Sequence, residues 1–176
     1  MLYAVLVVAL VVLDQVVKFL VRANIPLGGD VPFLPHILHL TYVQNTGAAF
    51  SLLEEHTWIL TIVSLVVSVL LVVLLVKKVF PRPFAMAALS MVLAGAVGNL
   101  IDRALLGYVT DMFETLFMRF AVFNVADICV VVGGIAFCVY YLFFHGQGGG
   151  PWSRFCCGLT GRGSGPTSSW PGWCRS

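Results

Sequence analysis

Residues Trp58–Val76, WILTIVSLVVSVLLVVLLV, are nineteen in a row without a charge. A helix of that length rises about 28 Å, close to the ~30 Å hydrocarbon core of a bilayer. Few other environments accept such a segment, because a helix on a soluble domain needs a polar face. Phe84–Ile101 repeats the pattern over eighteen residues. Met1–Val21 is interrupted late by Asp14 and Lys18, and Val125–Phe144 is charged only at Asp127. Four membrane spans are therefore predicted. In a chain of 176 residues they form one small bundle. With 10% charged residues, the chain falls well below the roughly 25% of soluble domains. A dispersed net charge of +2 gives no footprint for nucleic acid.

The apolar start lacks a basic n-region and an A-x-A-like cleavage site, so it is expected to be a retained first helix and not a signal peptide. Lys77, Lys78 and Arg82 crowd the loop between spans two and three, which places that loop in the cytoplasm by the positive-inside rule. Both termini then share that side. The outer loops are Arg22–Thr57 and Asp102–Asn124. All eight carboxylates, Asp14, Asp30, Glu54, Glu55, Asp102, Asp111, Glu114 and Asp127, fall in those loops or near the outer ends of spans.

Within the first outer loop, Leu38–Gln44 is β-prone, and Asn45-Thr46-Gly47 reads as a turn before Ala48–Leu53. A small sheet on the bundle is expected. The second outer loop is rich in Phe and Met from Met112 to Phe120, which suggests a short amphipathic helix in the interface. The four-helix membrane unit with its outer loops is thus residues 1–145. Residues 146–176 form a Gly/Pro/Trp-rich cytoplasmic tail with no periodicity, expected to be disordered.

Several polar residues in apolar surroundings need explaining. Asp14 and Lys18 are four apart on the first helix and can pair, with Gln15 beside them. Ser90, Ala94 and Gly98 make a small-residue ladder that permits close helix approach. Asn99 and Asp102 share a face, and Arg103 adds a fixed positive charge. Asn124 and Asp127 lie three apart at the start of span four. An acid inside a span is costly and marks a functional site by default. Asp111 and Asp127 are sixteen residues apart on one side of the membrane. If they converge, one proton is shared between them, and the pair can activate water and protonate a leaving amine.

Other chemistries find little purchase. His36-x-x-His39 has metal-like spacing but no third ligand nearby, so neither metal nor cofactor is expected. H-E-x-x-H, G-x-S-x-G and P-loop motifs are missing from the sequence. The five cysteines include no C-x-x-C. From the residues alone, a proton-coupled carrier or channel subunit and a structural membrane protein stay open beside the peptidase.

The set DQVVK (Asp14–Lys18), QNTGAAFS (Gln44–Ser51), GNLIDR (Gly98–Arg103), Asp111 after YVT, and FNVAD (Phe123–Asp127) resembles the bacterial lipoprotein signal peptidases, or signal peptidase II. The resemblance implies an all-α membrane protein. It would be a four-transmembrane-helix bundle with a small extramembrane β-sheet cradle and a short interfacial helix on the outer side. The implied activity is aspartic endopeptidase action in the bacterial inner membrane, removing signal peptides from prolipoproteins just before a diacylglyceryl-modified cysteine. By motif, Asp111 and Asp127 match the catalytic pair. Asn45, Asn99, Asp102, Arg103 and Asn124 match polar residues lining and supporting the site, and Asp14 matches the first-helix acid. Implied partners are the lipid-modified precursors and membrane lipids, with a monomer expected. Met112 stands where the family usually has Phe.

Overall fold

The computed structural model describes residues 1–47, 57–118 and 120–144. The segment Ala48–Leu53 after the expected turn, Glu54, Glu55 and the 146–176 tail lie outside those residues.

The four expected spans are four helices: α1 (Leu2–Asn24), α2 (Thr57–Val76), α3 (Pro83–Leu106) and α4 (Val125–Phe144). All four are long and apolar enough to cross a membrane. α1 and α3 run several residues past the expected spans, and both carry polar residues inward: Asp14, Lys18 and Asp102 are all buried. Half of the apolar window of α3 is buried, against 11–22% in the other three. Its composition explains that central position. Ala85, Ala88, Ser90, Ala94, Gly95 and Gly98 are all buried, and small side chains let neighbouring backbones approach closely where lipid gives no hydrophobic drive. At Gly95 a Cβ would overlap the carbonyl oxygen of Ala126, and at Gly98 it would stand 2.7 Å from Asp14 Oδ2. The buried hydroxyls of Ser68 and Ser90 donate to carbonyls four residues back, at 2.7 Å each. Arg103 lies in the last turn of α3, and Gly107 closes that helix in the left-handed conformation, φ 80°.

A three-stranded antiparallel sheet caps the end of the bundle where α1 and α3 finish and α2 and α4 begin. Its order is β1 (Asp30–Leu34), β2 (Leu38–Asn45), β3 (Val109–Thr115). His36 sits in the β1–β2 turn with φ 62°, and His39 Nδ1 lies 3.1 Å from Asp30 across that hairpin. Between the Leu40–Phe113 and Val43–Asp111 pairs, Thr41 and Tyr42 face the single residue Met112, a β-bulge. Val21, Ile25, Tyr42 and Met112 form the apolar seam between α1 and the sheet.

The Phe- and Met-rich segment expected to form an interfacial helix is instead β3, followed by bends at 116–118. Strand pairing decides this. β3 covers the open edge of β2, and Phe123 closes onto it: Phe113 N–H donates to Phe123 O at 2.8 Å and Phe123 N–H to Phe113 O at 3.2 Å. The apolar side chains after the strand, Leu116, Phe117, Met118 and Phe120, remain exposed.

Candidate active site

Three elements bring the acids together. Asp111 is the third residue of β3, opposite Val43. Asn45 pairs with Val109, so its side chain and that of Asp111 are diagonal neighbours on one face. Asn45 Nδ2 donates to Asp111 Oδ2 at 2.8 Å. Asp127 lies in the first turn of α4. Its position follows from a reciprocal cap: Asn124 Oδ1 accepts the Asp127 N–H at 2.9 Å, and Asp127 Oδ2 accepts the Asn124 N–H at 3.2 Å. That satisfies two helix-start donors and fixes the carboxylate rotamer.

Asn124, itself fully buried, also reaches the other acid. Its Nδ2 donates to Asp111 Oδ1 at 2.7 Å and to Asn99 Oδ1 at 3.2 Å. Asn99 Nδ2 in turn donates to Asp127 Oδ1 at 2.8 Å. All four carboxylate oxygens of Asp111 and Asp127 therefore accept a hydrogen bond. Burial pushes the Asp111 carboxyl up to about 6, against the pull of the Asn45 and Asn124 hydrogen bonds; the charge of Asp127 adds to the rise.

Both acids line a cavity of about 450 Å³. Asn45, Asn99 and Arg103 share its polar end, while Ile128, Val130, Val131 and Val132 carry it along α4 as an apolar wall. The Arg103 guanidinium donates to Gly47 O at 3.5 Å through Nη2, and its buried Nε has no hydrogen-bond partner among the described residues.

Of the eight residues singled out in the sequence, six converge here: Asn45, Asn99, Arg103, Asp111, Asn124 and Asp127. Asp14 and Asp102 belong to a second, deeper cluster. Lys18 Nζ lies 2.9 Å from Asp14 Oδ2 and 3.3 Å from Asp102 Oδ2. Gln15 Nε2 bridges the same two acids at 3.2 and 3.1 Å. Asp14 Oδ1 accepts the Ala126 N–H at 2.9 Å, and Asp102 Oδ2 accepts the Thr110 N–H at 3.0 Å. Asn99 joins the two layers, since its Oδ1 also accepts from Lys18 Nζ at 3.0 Å. The reach of Asp14 and Asp102 to distant backbone amides has no local sequence signal. The Asn124–Asp127 cap does have one, the three-residue spacing of a capping box.

Residues 6–144 match the family model for signal peptidase (SPase) II. The chain belongs to the signal peptidase II family. Curated relatives agree. The lipoprotein signal peptidase of Enterococcus faecalis is 47% identical over 133 residues, 76% of this chain and 83% of that protein. The lipoprotein signal peptidase of Clostridioides difficile is 41% identical over 148 residues, 84% of this chain and 99% of that protein. Two solved bacterial membrane enzymes share the fold. One has a TM-score of 0.75 and 32% identity, covering 80% of this chain and 87% of its own. The other has a TM-score of 0.74 and 31% identity, covering 81% and 93%. The signal peptidase II match covers α1 from residue 6, the other three helices in full and every residue of both polar clusters.

Proposed function

We propose that Asp111 and Asp127 are the catalytic pair of this signal peptidase II family member. As a lipoprotein signal peptidase, the chain cleaves signal peptides from prolipoproteins. The observation that carries the residue assignment is the double grip of Asn124. Its amide holds Asp111, while its backbone and side-chain oxygen hold Asp127.

The chemistry follows from that arrangement. The ionised member of the pair takes a proton from water as the water oxygen attacks the scissile carbonyl. The protonated member donates toward the developing oxyanion, giving a tetrahedral diol. On collapse, the C–N bond breaks, the leaving amine receives the proton held by the pair, and the pair takes a proton from one diol hydroxyl as the C=O re-forms, so it returns to one proton shared between two carboxyls. Asn45, Asn99 and Asn124 keep both carboxyls aimed into the cavity. Arg103, at the cavity's polar end, offers positive charge to the substrate backbone. Asp14 and Asp102 support the site from below.

The apolar wall along α4 supports recognition of a lipid-modified precursor cut just before its diacylglyceryl cysteine. Each methylene kept in lipid is worth about 0.8 kcal/mol, so acyl chains dominate affinity. The basic Lys77–Arg82 loop supports an outward-facing site, with the ends of α1 and α4 toward the cytoplasm. All four oxygens of the two acids are satisfied by Asn45, Asn99 and Asn124 of the same chain, so the site needs no second copy, and we read the enzyme as a monomer. No observation favours the carrier reading.

Purified enzyme tests this with a diacylglyceryl-modified precursor beside its unlipidated form. Asp111→Asn and Asp127→Asn each abolish cleavage while the protein keeps its fold, and the wild type strongly prefers the lipidated substrate. Normal turnover by either variant would overturn the pair.

A further inference from the structure

Lys18 is fully buried in α1, and the chemistry above gives it no step. We propose that Lys18 is a positioning residue that sets the relative placement of the two catalytic carboxyls and the orientation of the Asn99 amide. The inference rests on the Asp111–Asp127 assignment.

An ammonium has three N–H groups and no acceptor. Here three oxygens receive them: Asp14 Oδ2 at 2.9 Å, Asn99 Oδ1 at 3.0 Å and Asp102 Oδ2 at 3.3 Å. Two of those partners grip backbone on the far side. Asp14 holds the N–H of Ala126, the residue before Asp127. Asp102 holds the N–H of Thr110, the residue before Asp111. One cation therefore ties together the α4 turn and the β3 segment that carry the two acids.

The third partner sets an orientation. Because Lys18 only donates, Asn99 must present its carbonyl oxygen to it. The Asn99 NH₂ then faces the opposite way, toward Asp127 Oδ1 at 2.8 Å. Without Lys18, Asn99 Oδ1 keeps only the 3.2 Å hydrogen bond from Asn124 Nδ2, so the amide is held less firmly and its donation to the Asp127 carboxyl weakens. A plain packing role would not specify that sense. The charged and titratable groups around this point are Lys18 and Asp14 from α1, Asp102 and Arg103 from α3, Asp111 from β3, and Asp127 and Cys129 from α4.

The test compares wild type, Lys18→Met, and Lys18→Met combined with Asp102→Asn. The double variant keeps the cluster's net charge and leaves an oxygen for the Thr110 N–H. Thermal unfolding gives the folded fraction, and cleavage of a diacylglyceryl-modified precursor gives kcat, KM and the pH profile. The expected result is a fall of about tenfold or more in kcat per folded molecule, as for a misaligned reacting group. KM stays within about twofold of wild type, as expected when only transition-state interactions are lost. The ascending limb of kcat/KM, which belongs to the pair, moves to higher pH. A loss that only tracks the folded fraction, in either variant, overturns the proposal, as does a wild-type pH profile with wild-type kcat. Asp111→Asn and Asp127→Asn run in parallel separate the two readings. If either cleaves normally, the pair and this inference fall together. If both are inactive while the Lys18 variants match wild type, only the inference fails.

Discussion

Burial holds a proton on Asp111 into a pH range where a solvated aspartate has released it. The sign of the linkage follows. The carboxyl titrates near about 6 in the folded chain against 3.8 for a free aspartate. Between those values the folded state binds the proton and the unfolded state does not. Stability from this group is therefore present at low pH and lost as pH rises through that window. The full swing is on the order of 3 kcal/mol. Thermal unfolding in detergent from pH 4 to 7 should show that decline, and Asp111→Asn should lack this component. A variant with the wild-type slope would put the proton on another group. Asn124 carries a different kind of weight, since it touches both acids and caps α4. Replacing it with Ala should lower stability by about 1 kcal/mol through the lost cap. Turnover should fall much further, on the order of a hundredfold, because both carboxyls lose alignment. Equal losses in folded fraction and turnover would reduce Asn124 to a cap alone.

The contact between α3 and α4 sets how closely Asn99 approaches Asp127. Gly95 makes that contact, because a Cβ there would meet the Ala126 carbonyl and Val130 Cγ2. Gly95→Ala should pry the two helices apart, lowering stability by about 1–3 kcal/mol by overpacking and reducing cleavage. Gly134, one helix over, faces open space within 4 Å of its would-be Cβ. Gly134→Ala should be neutral or slightly stabilising, since Ala is the better helix former by about 1 kcal/mol in water. Thermal midpoints of the two variants check this directly, and equal effects would remove the close-approach argument. The same elements show what the sequence makes legible. Helices were readable because uncharged length is a local property, and Asp127 was readable because a carboxylate inside an apolar span stands out, whereas Asp111, a loop acid in the sequence, came forward only through Asp127 and the family motif. The strand β3 was not. Its first four residues are buried on both faces, so the alternation that marks a half-exposed strand is missing. Its partner β2 lies more than sixty residues earlier, and the bulge at Thr41–Tyr42 that sets their register leaves no local trace. The division of polar residues into two layers was equally hidden. Asp102 and Arg103 are neighbours in sequence, yet one turns to Lys18 and the other to the cavity.

Across the whole molecule the described acids are gathered at one end. The described acids Asp14, Asp30, Asp102, Asp111, Glu114 and Asp127 all lie in the sheet or at the helix ends beside it. Lys77, Lys78 and Arg82 occupy the α2–α3 connection at the opposite end. Basic residues in short loops hold their side in the cytoplasm, while acids contribute little to orientation. In the proposed orientation the basic loop sets the direction, and the site is carried outward with the sheet. That direction matters for the chemistry, because an exported precursor whose acyl chains remain in the membrane presents its scissile bond at the outer surface. In a cysteine-free background, Phe33→Cys in β1 should react with a membrane-impermeant maleimide on intact cells. Val79→Cys in the basic loop should react only after permeabilisation. The reverse pattern would put the acids on the cytoplasmic side, away from exported precursors, and the outward-facing reading would fail. Changing Lys77, Lys78 and Arg82 together to Gln should weaken the bias and yield a mixed population, with cleavage falling in proportion to the molecules whose Phe33→Cys site is no longer labelled from outside.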